Sequence, residues 1–416
     1  MILAASIGNA IEFYDFIIYG FFATAIAGTF FPGRDATTRL LLTFGAFGVS
    51  FGARPFGALI LGAYADRVGR ARAMVLSISM TTVAGAMIAL MPCRESIGLA
   101  APWGILAARL IQGLALGGEF GSATALMIEY SEGGEARAAS WQSTSQNVAG
   151  LLASGIAWLL SDTAIAAMLQ VEAFRLAFGL GVLAGPIALL LRRRLQDAPG
   201  FLAARHHRAH DDRPTLSGIA IAAGMVAIGT AQTYLIIYLP TYATTQLHVR
   251  SGSVLGAVFL LYAATIALTP VRLLIAARFD ASRRCLPMVI SCVAMLIAGY
   301  PCFILLGLWP NALILFLLPL GLTLLGLPYN APLQGFMGMV FSVRRRGVGL
   351  SVGYAVGIAL FGGFAPFINT WLIARTGDPS SPGLYLILTA IVSIASIVAA
   401  SRRLRPTLAN ARPGMV

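Results

Sequence analysis

The chain has 416 residues and a formal net charge of +13, with 58% hydrophobic and only 11% charged positions. A soluble core cannot absorb so large an apolar fraction, so the composition turns most of the surface toward lipid and excludes a water-soluble globular domain. The basic excess forms no single face but gathers in alternate loops, which excludes a nucleic-acid surface and reads instead as a topological signal.

Twelve apolar windows recur, at 3–29, 40–64, 73–92, 102–129, 138–161, 173–192, 216–244, 251–277, 285–308, 311–340, 347–374 and 383–401. Each is long enough to cross a hydrocarbon layer of about 30 Å. They predict an all-α integral membrane protein of twelve transmembrane helices in two six-helix bundles, 1–191 and 216–416, the second ending in a short cytoplasmic tail. The polar interval 192–215 between them is expected to be a cytoplasmic linker. Arginines follow the even-numbered segments, as Arg67, Arg70 and Arg72 do after the second and Arg402, Arg403 and Arg405 after the last. The positive-inside rule then puts both termini in the cytoplasm.

The first segment, SIGNAIEFYDFIIYGFFATAIAG, carries Glu12 and Asp15. A charge at bilayer depth costs roughly 2.5–3.5 kcal/mol on insertion scales, so such residues default to a functional reading. Gly8, Glu12, Asp15 and Tyr19 recur at helical spacing on one face, which is expected to line a cavity while the phenylalanines meet lipid or neighbouring helices. Tyr14 adds a second phenol to the segment. The segment is too long, and too interrupted by acids, for a cleaved signal, and is expected to be retained.

The second segment buries Arg54, and the fourth Arg109, Glu119 and, at its cytoplasmic end, Glu129. At about 1.5 Å per residue, Asp15, Arg54 and Glu119 all fall near the midplane and Arg109 farther out. Guanidinium forks match anions in a bidentate way, so Arg54 first and Arg109 second are candidate clamps for a charged solute; the alternative for each is a structural ion pair with an acid of the first or fourth segment. The fifth segment adds Gln146 and Asn147, which either line the cavity or join helices to one another.

The C-terminal half offers hydroxyls and amides rather than charges: Tyr234 and Tyr238 on the seventh segment, Tyr262 on the eighth and Asn330 on the tenth. Together they predict a neutral hydrogen-bonding wall opposite a charged one. Gly357, Gly362, Gly363 and Pro366 give the eleventh segment places to bend. All four histidines fall in loops or at a helix end, so the intramembrane groups able to take up and release a proton are Glu12, Asp15 and Glu119. The four cysteines show no metal or redox spacing, and no nucleophile–base arrangement or intramembrane histidine cluster points to a membrane enzyme.

GAYADRVGRAR, from Gly62 to Arg72, resembles the loop motif of the major facilitator superfamily, echoed imperfectly after the eighth segment by LIAARFDASRR. GNAIEFYDFIIYGFFA, RLIQGLALGGEFGSA, YLPTY and GLSVGYAVGIALFGGFAPFI are similar to the metabolite–proton symporters of that superfamily. LTFGAFGVSFGARPFGALILGAY, SWQSTSQNVA, LRRRLQDAPGFL and RTGDPSSPG resemble its citrate and tricarballylate branch.

That resemblance implies the major facilitator fold, alternating access, symport of a small organic anion with protons as coupling ion and no other cofactor, and a monomer in the bacterial inner membrane. It also implies an inner gate latched by Asp66, Arg70 and Glu129. In the second copy of the motif, Ala277 and Asp280 depart from the pattern, so no latch is assigned there. The residues leave open another organic acid or a zwitterionic osmolyte as substrate (a dicarboxylate, 2-oxoglutarate, shikimate or betaine), and an anion exchanger.

Overall fold

The computed structural model describes residues 2–130, 134–161, 171–193, 215–278, 285–341 and 346–409; within these helices the side chains of 2–6, Asp66, Arg70, 118–130, 134–143, 191–193, 276–277, 346–348 and 405–409 lie outside the described set. Among the described residues the regular structure is entirely helical. The N-terminal half contains α1 (Ile2–Phe21), α2 (Ala23–Phe30), α3 (Ala36–Val68), α4 (Arg70–Leu90), the short α5 (Arg94–Ile97), α6 (Ala100–Tyr130), α7 (Gly134–Ser161) and α8 (Ala173–Arg193). The C-terminal half contains α9 (Leu216–Met225), α10 (Ala227–Thr245), α11 (Ser251–Ala267), α12 (Thr269–Arg278), α13 (Cys285–Leu308), α14 (Ala312–Asn330), α15 (Leu333–Met339), α16 (Arg346–Ile358), α17 (Ala365–Thr376) and α18 (Pro382–Ala409).

Each of the twelve apolar windows is helical, but several are broken. Among the described residues, seven spans are long and apolar enough to cross a membrane, and three bent pairs add to them: α1–α2 at 70°, α9–α10 at 45° and α11–α12 at 43°. Phe22, Val226 and Leu268 make these corners with ψ of 16°, −3° and −4°, the tightened backbone of the bridge region. Pro270 follows the third corner, where its missing N–H removes one helical bond. The eleventh segment passes through a π-helical turn at Ala359–Gly363 between α16 and α17, which includes two of the glycines expected to allow a bend.

α3 and α6 approach closely because α6 presents glycines. A Cβ on Gly113 or Gly117 would run into the backbone carbonyl of Ser50 or Arg54. Without a hydrophobic force between helices in lipid, such small residues allow backbone contact and its dispersion energy. The same contact sets Arg54 on α3 beside the helix that carries Arg109. α4 packs on α6 and α8, and α1 on α7 and α8; in the other half α13 packs on α14 and α18, and α9 on α16. Across the halves α7 meets α11, α1 meets α10, and α3 meets the π turn and α17. The outer surface carries exposed large apolar residues such as Leu59, Leu90, Leu183 and Leu274, as a lipid-facing belt requires.

The connections at the end away from the termini are tied down locally. Asp35 caps α3, accepting at 2.7 Å from the Thr38 N–H. Arg175 donates to the Ala89 and Met91 carbonyls at the end of α4, at 2.9 and 2.6 Å.

Candidate functional site

A cavity of about 210 Å³ lies between the two halves. Its walls come from α1 (Phe13, Phe16, Ile17), α7 (Gln146, Asn147), α10 (Gln232, Tyr234), α11 (Tyr262, Thr265), α14 (Asn330) and α16 (Tyr354). It extends to Arg272 on α12 and to Gln334 and Met337 on α15, toward the end that bears both termini. At the other end the path is filled by an aromatic cluster. Phe51 and Phe47 meet the Tyr234 ring at 5.0 and 6.2 Å, and Phe44 meets Tyr238 at 5.6 Å. Gly363 abuts Phe51, Gly48 abuts Phe364 and Gly20 abuts Ile237, so side chains close directly onto backbone.

Beside this cavity, the acidic and basic side chains buried among the described residues are Glu12, Asp15, Arg54 and Arg109. Arg109 Nη1 donates to Gln112 Oε1 at 2.5 Å, and Gln112 Nε2 reaches Asp15 Oδ2 at 3.5 Å. An amide thus stands between the acid and the base. The Arg109 guanidinium lies over the Tyr19 ring at 3.6 Å, and Arg54 lies over Phe51 at 3.9 Å. Phe16 is 5.0 Å from both guanidinium carbons, which keeps the two carbons within about 10 Å of each other. At that separation two unit charges repel by roughly 1.7 kcal/mol with an effective dielectric of about 20. An anion between them removes that penalty.

The hydrogen-bond capacity of the site is unfilled. Arg54 Nε and Nη2, Arg109 Nε and Nη2, and Asp15 Oδ1 are buried without a partner among the described residues. Native proteins pair the great majority of such atoms, so a cluster of this kind is unusual outside a working site. Glu12 accepts from Ser77 Oγ at 3.3 Å and shares a second, smaller cavity with Arg54, Asn9 and Tyr354.

The structure redistributes the expected site. Gln146, Asn147, Tyr234, Tyr262 and Asn330 line the main cavity, and Arg54 borders the smaller one. Tyr14, Tyr19, Tyr238 and Arg109 do not line the main cavity. The Tyr14 hydroxyl donates to the Ala177 carbonyl at 2.9 Å and that of Tyr19 to the Thr43 carbonyl at 3.1 Å, while the Tyr238 and Thr370 hydroxyls are 3.3 Å apart in the closed end. The side chains of Glu119, Asp66, Arg70 and Glu129 lie outside the described residues.

The face of α1 expected to line a cavity divides: Glu12 borders the smaller cavity, while Asp15 and Tyr19 turn into the N-terminal half. Asp15 is packed against α4 and α8, where a Cβ on Gly85 would come within 3.0 Å of Oδ2. Phe13 and Phe16 form part of the cavity wall, Phe16 while also meeting Phe47 and Phe51 of the neighbouring α3. The reason is electrostatic: the α1 acid finds its amide and guanidinium neighbours inside the N-terminal half, and the aromatic rings remain for the opposite face. Gln112 and Phe16 were not anticipated. The spacing of Arg109 and Gln112 at i, i+3 in RLIQG was the available signal for the first. Nothing in the sequence distinguished Phe16 from its neighbours.

The profile of the Major Facilitator Superfamily matches residues 5–352. The chain belongs to the major facilitator superfamily. Among curated proteins it is 33% identical over 420 residues to the citrate-proton symporter of Klebsiella pneumoniae, covering 99% of this chain and 94% of that one. It is 35% identical over 404 residues to the citrate-proton symporter of Salmonella typhi, covering 95% and 92%. The alpha-ketoglutarate permease of Escherichia coli is 32% identical, covering 94% and 91%. The proton:xylose symporter XylE shares the fold at a TM-score of 0.76 and 14% identity, over 97% of this chain and 94% of that one. As a member of this superfamily the chain is a membrane transporter and not an enzyme.

Proposed function

We propose that the protein carries a tricarboxylate, citrate or tricarballylate, into the cell together with protons by alternating access. The observation that carries the reading is the pair of buried guanidinium groups whose Nε and Nη2 have no partner among the described residues, beside a cavity lined mainly by neutral hydroxyl, amide and aromatic side chains. The two relatives at 33% and 35% identity that bear the name citrate-proton symporter support the same substrate class. In this reading residues 1–191 and 216–416 are two bundles joined by the linker 192–215, and they rock about the cavity. Arg54 and Arg109 hold carboxylates, while Gln146, Asn147, Tyr234, Tyr262 and Asn330 supply neutral hydrogen bonds. Tyr14, Tyr19 and Tyr238 come into play when the closed end opens.

Asp15 is the leading proton carrier, with Glu12 and Glu119 beside it. A carboxylate substrate that draws Arg109 toward itself weakens the hold of Arg109 on Gln112 and Asp15, and protonation of Asp15 becomes easier. Substrate and proton then bind with mutual support. Asp66, Arg70 and Glu129 latch the inner gate. The protein acts as a monomer in the bacterial inner membrane with both termini in the cytoplasm, and the cavity toward the termini is then an inward-facing one.

The test is uptake of labelled citrate into liposomes under an inward proton gradient, with tricarballylate, succinate, 2-oxoglutarate, shikimate and betaine as competitors. The reading requires accumulation that a protonophore abolishes and that tricarballylate blocks. Uptake indifferent to the gradient makes the protein an exchanger. Accumulation of a competitor in place of citrate moves the substrate to that compound. Asp15→Asn should leave citrate counterflow intact and remove the response to the proton gradient; an unchanged gradient response hands the proton to Glu12 or Glu119.

A further inference from the structure

Phe16 touches both buried guanidinium groups, with its ring centroid 5.0 Å from Arg54 Cζ and 5.0 Å from Arg109 Cζ. The same side chain is part of the wall of the main cavity, whereas neither arginine is. Each arginine leaves the same two atoms, Nε and Nη2, buried and without a partner among the described residues. These two N–H groups share one edge of the guanidinium plane, an edge that takes a carboxylate in bidentate fashion. Two carboxylate docks therefore stand next to one phenyl ring, and the ring is what the cavity meets.

We propose that Phe16 is a specificity-determining residue, a shutter whose displacement opens a two-point receptor, the Nε–Nη2 edges of Arg54 and Arg109, to a molecule carrying at least two carboxylates. The proposal rests on the organic-anion reading above and names the part of the site that sets its selectivity. Besides the two guanidinium groups, Phe16 meets Phe47 edge-on at 6.2 Å and Phe51 edge-on at 5.2 Å, and a ring without a hydrogen bond of its own is released by a rotamer change.

Displacing it forfeits the attraction of the ring quadrupole for both cations at once. A ligand with two carboxylates restores a partner to both arginines. A ligand with one carboxylate restores a partner to one and leaves the other bare, so it fails to offset the displacement. The ring thus sets a threshold that rejects singly charged acids by cost rather than by shape, discrimination through the disfavoured state.

A structural role and a shutter role predict opposite signs. Replacing Phe16 with mono-, di- and trifluorinated phenylalanine keeps its shape and progressively removes the negative face of the ring. Binding of tricarballylate and of butyrate to the purified full-length protein in lipid nanodiscs, measured by calorimetry at one pH, reads the result. The expected outcome is a tricarballylate Kd that falls stepwise with fluorination, by about five- to thirtyfold at the trifluoro variant for two lost contacts of ordinary strength. Butyrate, without measurable binding to the native protein, should bind to that variant.

Phe16→Leu should move in the same direction. A tricarballylate Kd that stays constant or rises across the fluorinated series overturns the proposal, as does butyrate binding to the native protein as tightly as tricarballylate. A native protein that binds neither acid refutes the organic-anion reading itself, whereas native tricarballylate binding with a flat series refutes only the shutter.

Discussion

Replacing Gln112 with leucine tests the link between Asp15 and Arg109. The substitution preserves the size of a side chain that is fully buried and removes both of its polar contacts. The bond from Arg109 Nη1 at 2.5 Å is charge-assisted and is worth about 1.5–3 kcal/mol. The contact to Asp15 Oδ2, at 3.5 Å, lies at the outer limit of hydrogen-bond geometry and adds little. Because Arg109 Nε and Nη2 already lack partners among the described residues, losing that of Nη1 as well leaves the buried guanidinium with its ring contacts only. The expected destabilisation of Gln112→Leu is therefore about 2–4 kcal/mol.

Unfolding can be followed through the protein's own thiols, because Cys292 and Cys302 are buried and a thiol-reactive dye reaches them only when the helices separate. Gln112→Glu offers Arg109 a carboxylate and should retain most of the stability, while obliging the new acid and Asp15 to share a proton. Combined with Asp15→Asn, Gln112→Leu should be non-additive by about 0.5–3 kcal/mol, as expected for residues in one network. A Gln112→Leu protein within about 0.5 kcal/mol of the native one, or strict additivity with Asp15→Asn, refutes the bridge.

Gly113→Val forces methyl groups against the Ser50 carbonyl and should cost at least about 1–3 kcal/mol, read as lost yield and a lower unfolding midpoint, whereas the same change at Gly52, where a Cβ meets nothing, should be mild. Arg175→Met removes two charged bonds to the end of α4 and should destabilise by about 2 kcal/mol, while Glu172→Gln, which weakens an exposed ion pair and keeps an acceptor for the Thr29 hydroxyl, should cost less than about 1 kcal/mol. The Asp35 carboxyl is held below the usual range by the Thr38 backbone N–H and then its hydroxyl. Its stabilising effect is therefore present above the unfolded-state value of about 3.9 and is lost as pH falls through the lower folded value. Asp35→Asn, which keeps an acceptor but cannot titrate, should show a shallower loss of stability between pH 5 and pH 2 in acid unfolding curves, on the order of one group's share.

The helices were legible in the sequence because lipid imposes a one-dimensional rule: any segment that crosses it must be apolar and must satisfy its own backbone. Every apolar window therefore became helix, and the glycines at 362 and 363 lie in the π-helical turn that interrupts the eleventh segment. The corner at Phe22 was not legible, since no proline or glycine stands there and the turn is made by one residue of ordinary type. The buried charges were equally plain, because Glu12, Asp15, Arg54 and Arg109 each stand out against a run of apolar neighbours.

What each charge meets was decided only in three dimensions. Helical spacing placed Glu12, Asp15 and Tyr19 on one face of α1, but spacing carries no information about which neighbour that face turns to. The outcome depended on α4, α6 and α8 supplying Gly85, Gln112 and Gly181, which make room for the Asp15 carboxylate and give it an amide. With that face committed inward, Phe16 was left between two guanidinium groups from α3 and α6, an arrangement that arises because glycines let those two helices touch. Sequence alone determined membrane insertion, helix number and the inventory of charges, since each follows from the composition of a single segment against lipid. The pairing of those charges, the closed aromatic end and the ring at the cavity wall required the packing of several segments at once, since burial inside a bundle is a property of neighbours and not of the chain.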